Sequence, residues 1–210
     1  MGQIVLVRHG QASFGSEDYD QLSALGVSQA ERLGSVGVAG DAVAVVLQHG
    51  TMRRQADTAA RMADTAGWRL TPRVDDRWNE YDHLSLAGAG TSGPPTEPRA
   101  FQSVLEEHLR GWVTGTIQGI ESYRQFADRV LAVFTEAVTA NERLTVVSTS
   151  GGVISWLANH VLGGSPEQWI LLNRVCVNTG ATRFLVGRHG VSLLTFNDHA
   201  HLPRTMITYR

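Results

Sequence analysis

Ile4 to Val7 form a run of leucine and β-branched residues, and at Arg8 the chain turns polar at once, reading RHGQASFGSEDYDQ. A short apolar run cut off this sharply is the pattern of a buried strand that empties into a loop at its carboxyl end. The rest of the chain repeats that alternation. Ser23 can cap a helix carrying Leu25, Gln29, Ala30 and Leu33, which ends in a glycine-rich stretch at Gly34, Gly37 and Gly40. AVAVVL (42–47) reads as a second buried strand, and Ala56, Ala59, Ala60 and Ala63 recur at helical spacing over 52–66. Phe126, Val130, Val133, Phe134 and Ala137 give an amphipathic helix, LTVVS (144–148) a third buried strand, and SGGV the turn into another helix.

The end differs: CVNTGATRFLV, GRHG and VSLLTF read as two strands joined by a tight turn. Strands alternating with helices, followed by a hairpin, predict an α/β fold: a three-layer α/β/α sandwich with a mostly parallel central sheet and a C-terminal antiparallel hairpin. With 210 residues, no internal repeat and no linker, one domain over 1–210 is expected. LSLAGAGTSGPPTEP (84–98) has no periodicity, so the stretch at about 81–120 is expected to be an irregular roof or lid over the pocket.

Charge and composition exclude several functions. A net charge of −2 offers no field for nucleic acid, so an anion must be held by local arginines. MGQIVLVRHG has too short an apolar run for a membrane span or signal peptide, and Leu6 stands where a myristoylation motif wants Ser or Thr. Cys176 is the only cysteine, which agrees with a cytoplasmic protein. His49, His83, His108 and His160 show no metal-ligand spacing, and neither metal nor cofactor is expected. A homo-oligomer is left open.

Ligands in such sheets bind at the carboxyl ends of the strands. The groups expected there are Arg8, His9 and Gly10 after the first strand, Arg53 and Arg54 after the second, Glu80 in DDRWNEYDH, and Ser150, Gly151 and Gly152 after the third. An imidazole attacks phosphorus when one ring nitrogen is neutral and the other is held as N–H by an acceptor. Two guanidiniums can clamp the equatorial oxygens, and a carboxylic acid kept protonated by apolar neighbours, here Trp78 and Tyr81, can protonate the leaving oxygen. Arginines in a helix's first turn oppose the helix dipole, and a bound anion would relieve that conflict.

Three segments carry a family resemblance. VLVRHGQAS resembles the strand-plus-RHG signature of the histidine phosphatase (phosphoglycerate mutase-like) superfamily, LSALGVSQA its L-T-x-L-G-x-x-Q-A helix, and MRRQADTA its L-x-R-A-x-Q-T-A segment. The resemblance implies that His9 is phosphorylated, that Arg8 and Arg54 bind phosphate, and that Glu80 donates the proton. The match around Glu80 is looser, with Trp78 where the family usually has Leu. Where the family reads V-x-S-H-G-G, this chain reads VVSTSGGVI, so Ser150 stands in the slot of the second histidine.

Losing one preorganised donor costs about 100- to 1000-fold in rate. Three outcomes are therefore open: Ser150 with nearby backbone N–H groups such as Gly10 and Gly151 suffices, His199 or His201 in NDHAHLP supplies an imidazole, or turnover is poor. A depleted pocket favours a phosphatase of a small phosphorylated metabolite or phosphoprotein over a mutase, and Gln11 and Ser13 are expected at the pocket mouth. One rival is a serine hydrolase, since STSGG resembles a nucleophile elbow and Asp198 with His199 or His201 follows in order. Another is a phosphate-binding module of low activity. Arg188-His189-Gly190 repeats the tripeptide between two apolar strands and is expected to be an exposed turn.

Overall fold

A computed structural model describes residues 2–13, 20–38, 46–82, 85–86 and 98–209 of the chain. In chain order the strands are β1 (Gly2–Arg8), β2 (Val46–His49), β3 (Arg73–Val74), β4 (Leu144–Thr149), β5 (Ala181–Gly187) and β6 (Gly190–Asp198). The α-helices are α1 (Ala24–Val36), α2 (Arg53–Thr65), α3 (Pro98–Thr114), α4 (Tyr123–Ala140), α5 (Gly151–Val161) and α6 (Pro166–Arg174). The strands form one sheet in the order β3-β2-β4-β1-β5-β6. β1, β2, β3 and β4 pair in parallel, whereas β5 runs antiparallel to both β1 and β6.

The alternation of side chains along β1 divides the core in two. Ile4 and Leu6 face a cluster that holds Trp78, Phe126, Phe134, Trp169 and Phe184, on the side of α3, α4, α5 and α6. Val5 and Val7 face the opposite side, with Leu33, Leu47, Ala59 and Met62, where α1 and α2 lie. Hence both faces of β1 are buried, which is why its sequence is a continuous apolar run. Among the described residues no helix is long and apolar enough to cross a membrane.

Local signals account for most boundaries. Ser23 caps α1 by accepting from Gly26 N, and Gly37 ends it in the left-handed conformation at φ 80°. Ser122 and Ser165 each form a capping box with a glutamine three residues on, opening α4 and α6. Arg188 and His189 form the tight turn between Gly187 and Gly190, and His189 is exposed as expected.

Four expectations are corrected or left open. Within the stretch read as an irregular roof, Pro98–Thr114 is a helix of 17 residues. Its buried Leu105, Leu109 and Trp112 recur at helical spacing and join the aromatic side of the core, a periodicity hidden behind the Gly- and Pro-rich run before it. The first hairpin strand begins at Ala181, not Cys176, and Thr179 just before it sits at φ 59°, a left-handed conformation that breaks the extended run. Residues 42–45 of the second expected strand, and all of the expected loop 84–98 but Ser85, Leu86 and Pro98, lie outside the described residues.

Candidate active site

β1 and β4 are neighbours whose parallel ladder ends at Arg8 opposite Thr149, so His9 and Ser150 leave the sheet side by side. β2 ends on the other flank of β4, with His49 opposite Ser148, and leads through Gly50 into α2. Three carboxyl ends therefore deliver their next residues to one edge of the sheet. The His9 backbone is fixed on both sides: its N–H donates to Thr149 O at 2.8 Å, and its carbonyl accepts from Asn178 Nδ2 at 3.0 Å.

The ring of His9 is 5% exposed and its Nδ1 lies 2.8 Å from Gly10 O. A carbonyl only accepts, so Nδ1 carries the proton and Nε2 presents a lone pair. That lone pair accepts from Arg54 Nε at 3.1 Å. The imidazole thus has the tautomer a nucleophile needs, aimed at a guanidinium.

Arg54 is 4% exposed in the first turn of α2, and its Nη1 pairs with Asp20 Oδ1 at 2.6 Å. The other oxygen of Asp20 accepts from Arg53 N at 2.8 Å. The conflict between first-turn arginines and the helix dipole is therefore met by a carboxylate of the chain itself. Arg8 donates through Nη1 to the carbonyls of Cys176 and, at 2.8 Å, Tyr209, and a Cβ on Gly151 would lie 3.5 Å from its Nε. Cys176 is buried with its thiol pushed up to about 12 by burial, so it is no nucleophile.

Glu80 accepts from Gly152 N at 2.9 Å and from Tyr81 N at 3.2 Å, which sets its carboxyl against the N-terminus of α5. A Cβ on Gly152 would stand 2.2 Å from Glu80 Oε1 and 2.4 Å from Tyr81 Cε1, so only glycine admits this approach. The segment is anchored by buried aromatics. Trp78 donates Nε1 to Gln48 Oε1 at 2.9 Å, and the Tyr81 ring packs on Trp112, Phe126 and Trp169 with centroids 5.4, 5.6 and 6.0 Å away. Burial raises the Glu80 carboxyl above its ordinary range; the Gly152 N–H and the charges of Arg54 and Arg8 pull the other way.

Ser150 is 1% exposed and accepts from Gln55 Nε2 at 2.8 Å. Gly151 is the first residue of α5, beside Arg8. Gly10 differs from expectation: its N–H donates to Thr58 Oγ1 at 3.0 Å, so in this geometry it braces the loop and is not turned toward an anion. Gln11 and Ser13 are half-buried, Gln11 tied to Gln29 and Ser23 and Ser13 to Gln21. His201 is not brought to His9 or Ser150 by any contact among the described residues. Its Nε2 pairs with Thr179 Oγ1 at 3.0 Å, and burial lowers it to about 4, leaving a neutral ring. His199 Nδ1 lies 2.6 Å from Asn197 O. With neither imidazole on Ser150, the arrangement of a serine hydrolase is not assembled.

Sequence reasoning missed Asp20, Gln55, Thr58 and Asn178. Gln55 and Thr58 stand within the MRRQADTA segment, so their signal was present; Asp20 and Asn178 reach the site from loops and carried none. The loop after β1 is also held by direct backbone approach. A Cβ on Gly26 would sit 2.1 Å from Gln11 O, and one on Gly10 would sit 2.4 Å from Gly26 O. Gly26→Ala is expected to destabilise the fold by about 1–3 kcal/mol, since no side chain can yield. The check is the urea midpoint; an unchanged midpoint would show that α1 does not press on this loop.

A family model described as histidine phosphatase superfamily (branch 1) matches residues 4–199. Among curated proteins none matches the chain. Solved structures do. A mutant phosphoserine phosphatase of Entamoeba histolytica in complex with phosphoserine superposes with a TM-score of 0.72 at 16% identity, over 97% of this chain and 100% of that one. YhfR of Bacillus stearothermophilus gives 0.72 at 20% identity, over 96% and 99%. Mycobacterial glucosyl-3-phosphoglycerate phosphatase in complex with inorganic phosphate gives 0.70 at 21% identity, over 97% and 100%.

Proposed function

Because the chain belongs to the histidine phosphatase superfamily, we propose that it hydrolyses a phosphomonoester, of a small metabolite or a protein side chain, through a phospho-His9 intermediate. The observation that carries this reading is the His9 ring, with Nδ1–H held by Gly10 O and Nε2 facing Arg54 Nε. Nε2 attacks phosphorus; the Nε2–P bond forms as the bond to the leaving oxygen breaks. The protonated carboxyl of Glu80 gives its proton to that oxygen. In the second step the Glu80 carboxylate takes a proton from water, whose oxygen attacks phosphorus and frees His9 and phosphate.

Arg54, Arg8, Ser150 and the N-terminus of α5 stabilise the phosphoryl charge in both steps. Ser150 here takes the place of a second imidazole donor. A mutase must hold and reorient an intermediate between two transfers, and a hydroxyl in that slot favours release to water.

The test is incubation with acetyl phosphate followed by mass spectrometry under alkaline and acidic conditions. The expected product is one acid-labile, alkali-stable phosphoryl adduct on His9. An adduct on Ser150, or none despite turnover, would remove the reading.

A further inference from the structure

We infer that Gln55 is the positioning residue that turns Ser150 into a hydrogen-bond donor for the transferring phosphoryl group. The inference rests on the phosphatase reading above. Gln55 lies in the first turn of α2 and is 0% exposed. Its Nε2 donates to Ser150 Oγ at 2.8 Å and faces Trp78 O at 3.3 Å. Exchanging the amide oxygen and nitrogen would set two acceptors, Oε1 and Trp78 O, against each other, so the nitrogen side is the one that meets Ser150.

A serine hydroxyl has one proton and two lone pairs. Since Gln55 occupies a lone pair, the Ser150 proton must point elsewhere, and no acceptor among the described residues takes it. Ser150 is also released from the usual duty of its position. As N-cap of α5 its oxygen would ordinarily accept from the first-turn N–H groups, yet it makes no such bond, and Gly152 N donates to Glu80 instead. A buried hydroxyl proton without an acceptor is costly. A phosphoryl group on His9, which leaves the neighbouring strand beside Ser150, supplies the acceptor.

Gln55 holds this orientation at a cost of its own. Its Oε1 is buried with no partner among the described residues. A Cβ at Gly50 would lie 2.0 Å from that oxygen, so the glycine makes room for the amide to lie as it does. Donation from the amide into Ser150 Oγ also polarises the O–H, strengthening it as a donor in a site shielded from water.

The experiment measures kcat and KM for p-nitrophenyl phosphate on the full chain, in wild type, Ser150→Ala, Gln55→Met, Gln55→Glu and the double variant Gln55→Met/Ser150→Ala. Each of the first two variants is expected to lower kcat by roughly 10- to 100-fold with KM nearly unchanged, the mark of a contact made in the transition state. The double variant is expected to match Ser150→Ala, because Gln55 has nothing left to orient. Gln55→Glu keeps the shape and still bonds Ser150, but its carboxylate draws the hydroxyl proton to itself, so kcat falls as in Gln55→Met. This arm also serves if Gln55→Met fails to fold.

Losses that multiply in the double variant would overturn the inference, as would wild-type kcat in Gln55→Glu or Ser150→Ala. Turnover near the wild-type level in His9→Ala would instead overturn the phosphatase reading itself, so the two failures are distinguishable.

Discussion

Replacing His9 with alanine is expected to lower phosphomonoester turnover by about 10⁴-fold or more, because it removes the atom proposed to form the covalent intermediate. The fold should survive, since what ties this position down is largely backbone: Thr149 O, and the Asn178 amide on the carbonyl, both remain. His189→Ala provides the internal comparison. It changes the same tripeptide in an exposed hairpin turn, and turnover should stay within about twofold of wild type, as for other surface substitutions. Measured together, the two variants separate tripeptide from context. Substantial activity in His9→Ala would end the proposed chemistry.

Glu80→Gln carries the second large effect, roughly 10²- to 10⁴-fold on kcat for an alkyl phosphate. For p-nitrophenyl phosphate, whose leaving group needs little help from a proton, the loss in kcat/KM, which reads the first transfer and not the hydrolysis step shared by both substrates, should be far smaller. Equal losses in kcat/KM on both substrates would show that Glu80 is not the proton donor. The pH dependence has a definite sign. Burial raises the Glu80 carboxyl above its usual value of 4.5, and only the protonated form is the acid of the first step, so wild-type kcat/KM for an alkyl phosphate falls as pH rises through the raised value.

Stability follows the same linkage. Between the unfolded value and the raised folded value the native state binds more protons than the unfolded one, so stability falls as pH rises through that window. A neutral glutamine escapes this loss. Unfolding curves should therefore show Glu80→Gln gaining on wild type as pH rises through that window.

The sequence made β1 and β4 legible because each ends in a change of polarity, whereas the two exposed residues of β3, Arg73–Val74, form no apolar run and were not foreseen. Ile4–Val7 stops at Arg8 and LTVVS at Ser150, and both points lie at the same edge of the sheet. Arg54 was legible for a related reason: a cation at a helix start is out of place unless something negative meets it. What met it was not. Asp20 reaches Arg54 across the loop after β1, and polar loop composition alone does not say where a carboxylate will point.

Asn178 and Tyr209 were equally hidden, since their contacts with His9 and Arg8 depend on β5 lying beside β1, a long-range pairing that local pattern does not encode. Helix α3 was obscured by a neighbour. Its apolar spacing is sound, but the run before it reads as loop and set the expectation for the whole stretch. Gly10 fell between the two cases: its place after β1 was read correctly, while the destination of its N–H depended on Thr58, a helix away.

The carbonyl of Tyr209 that holds Arg8 has a consequence for how the protein matures. Arg8 and Tyr209 stand 201 positions apart, so the guanidinium gains this fastener only once the whole stretch between them has been synthesised. Its orientation is completed late, by segments that meet across the fold and not along the chain.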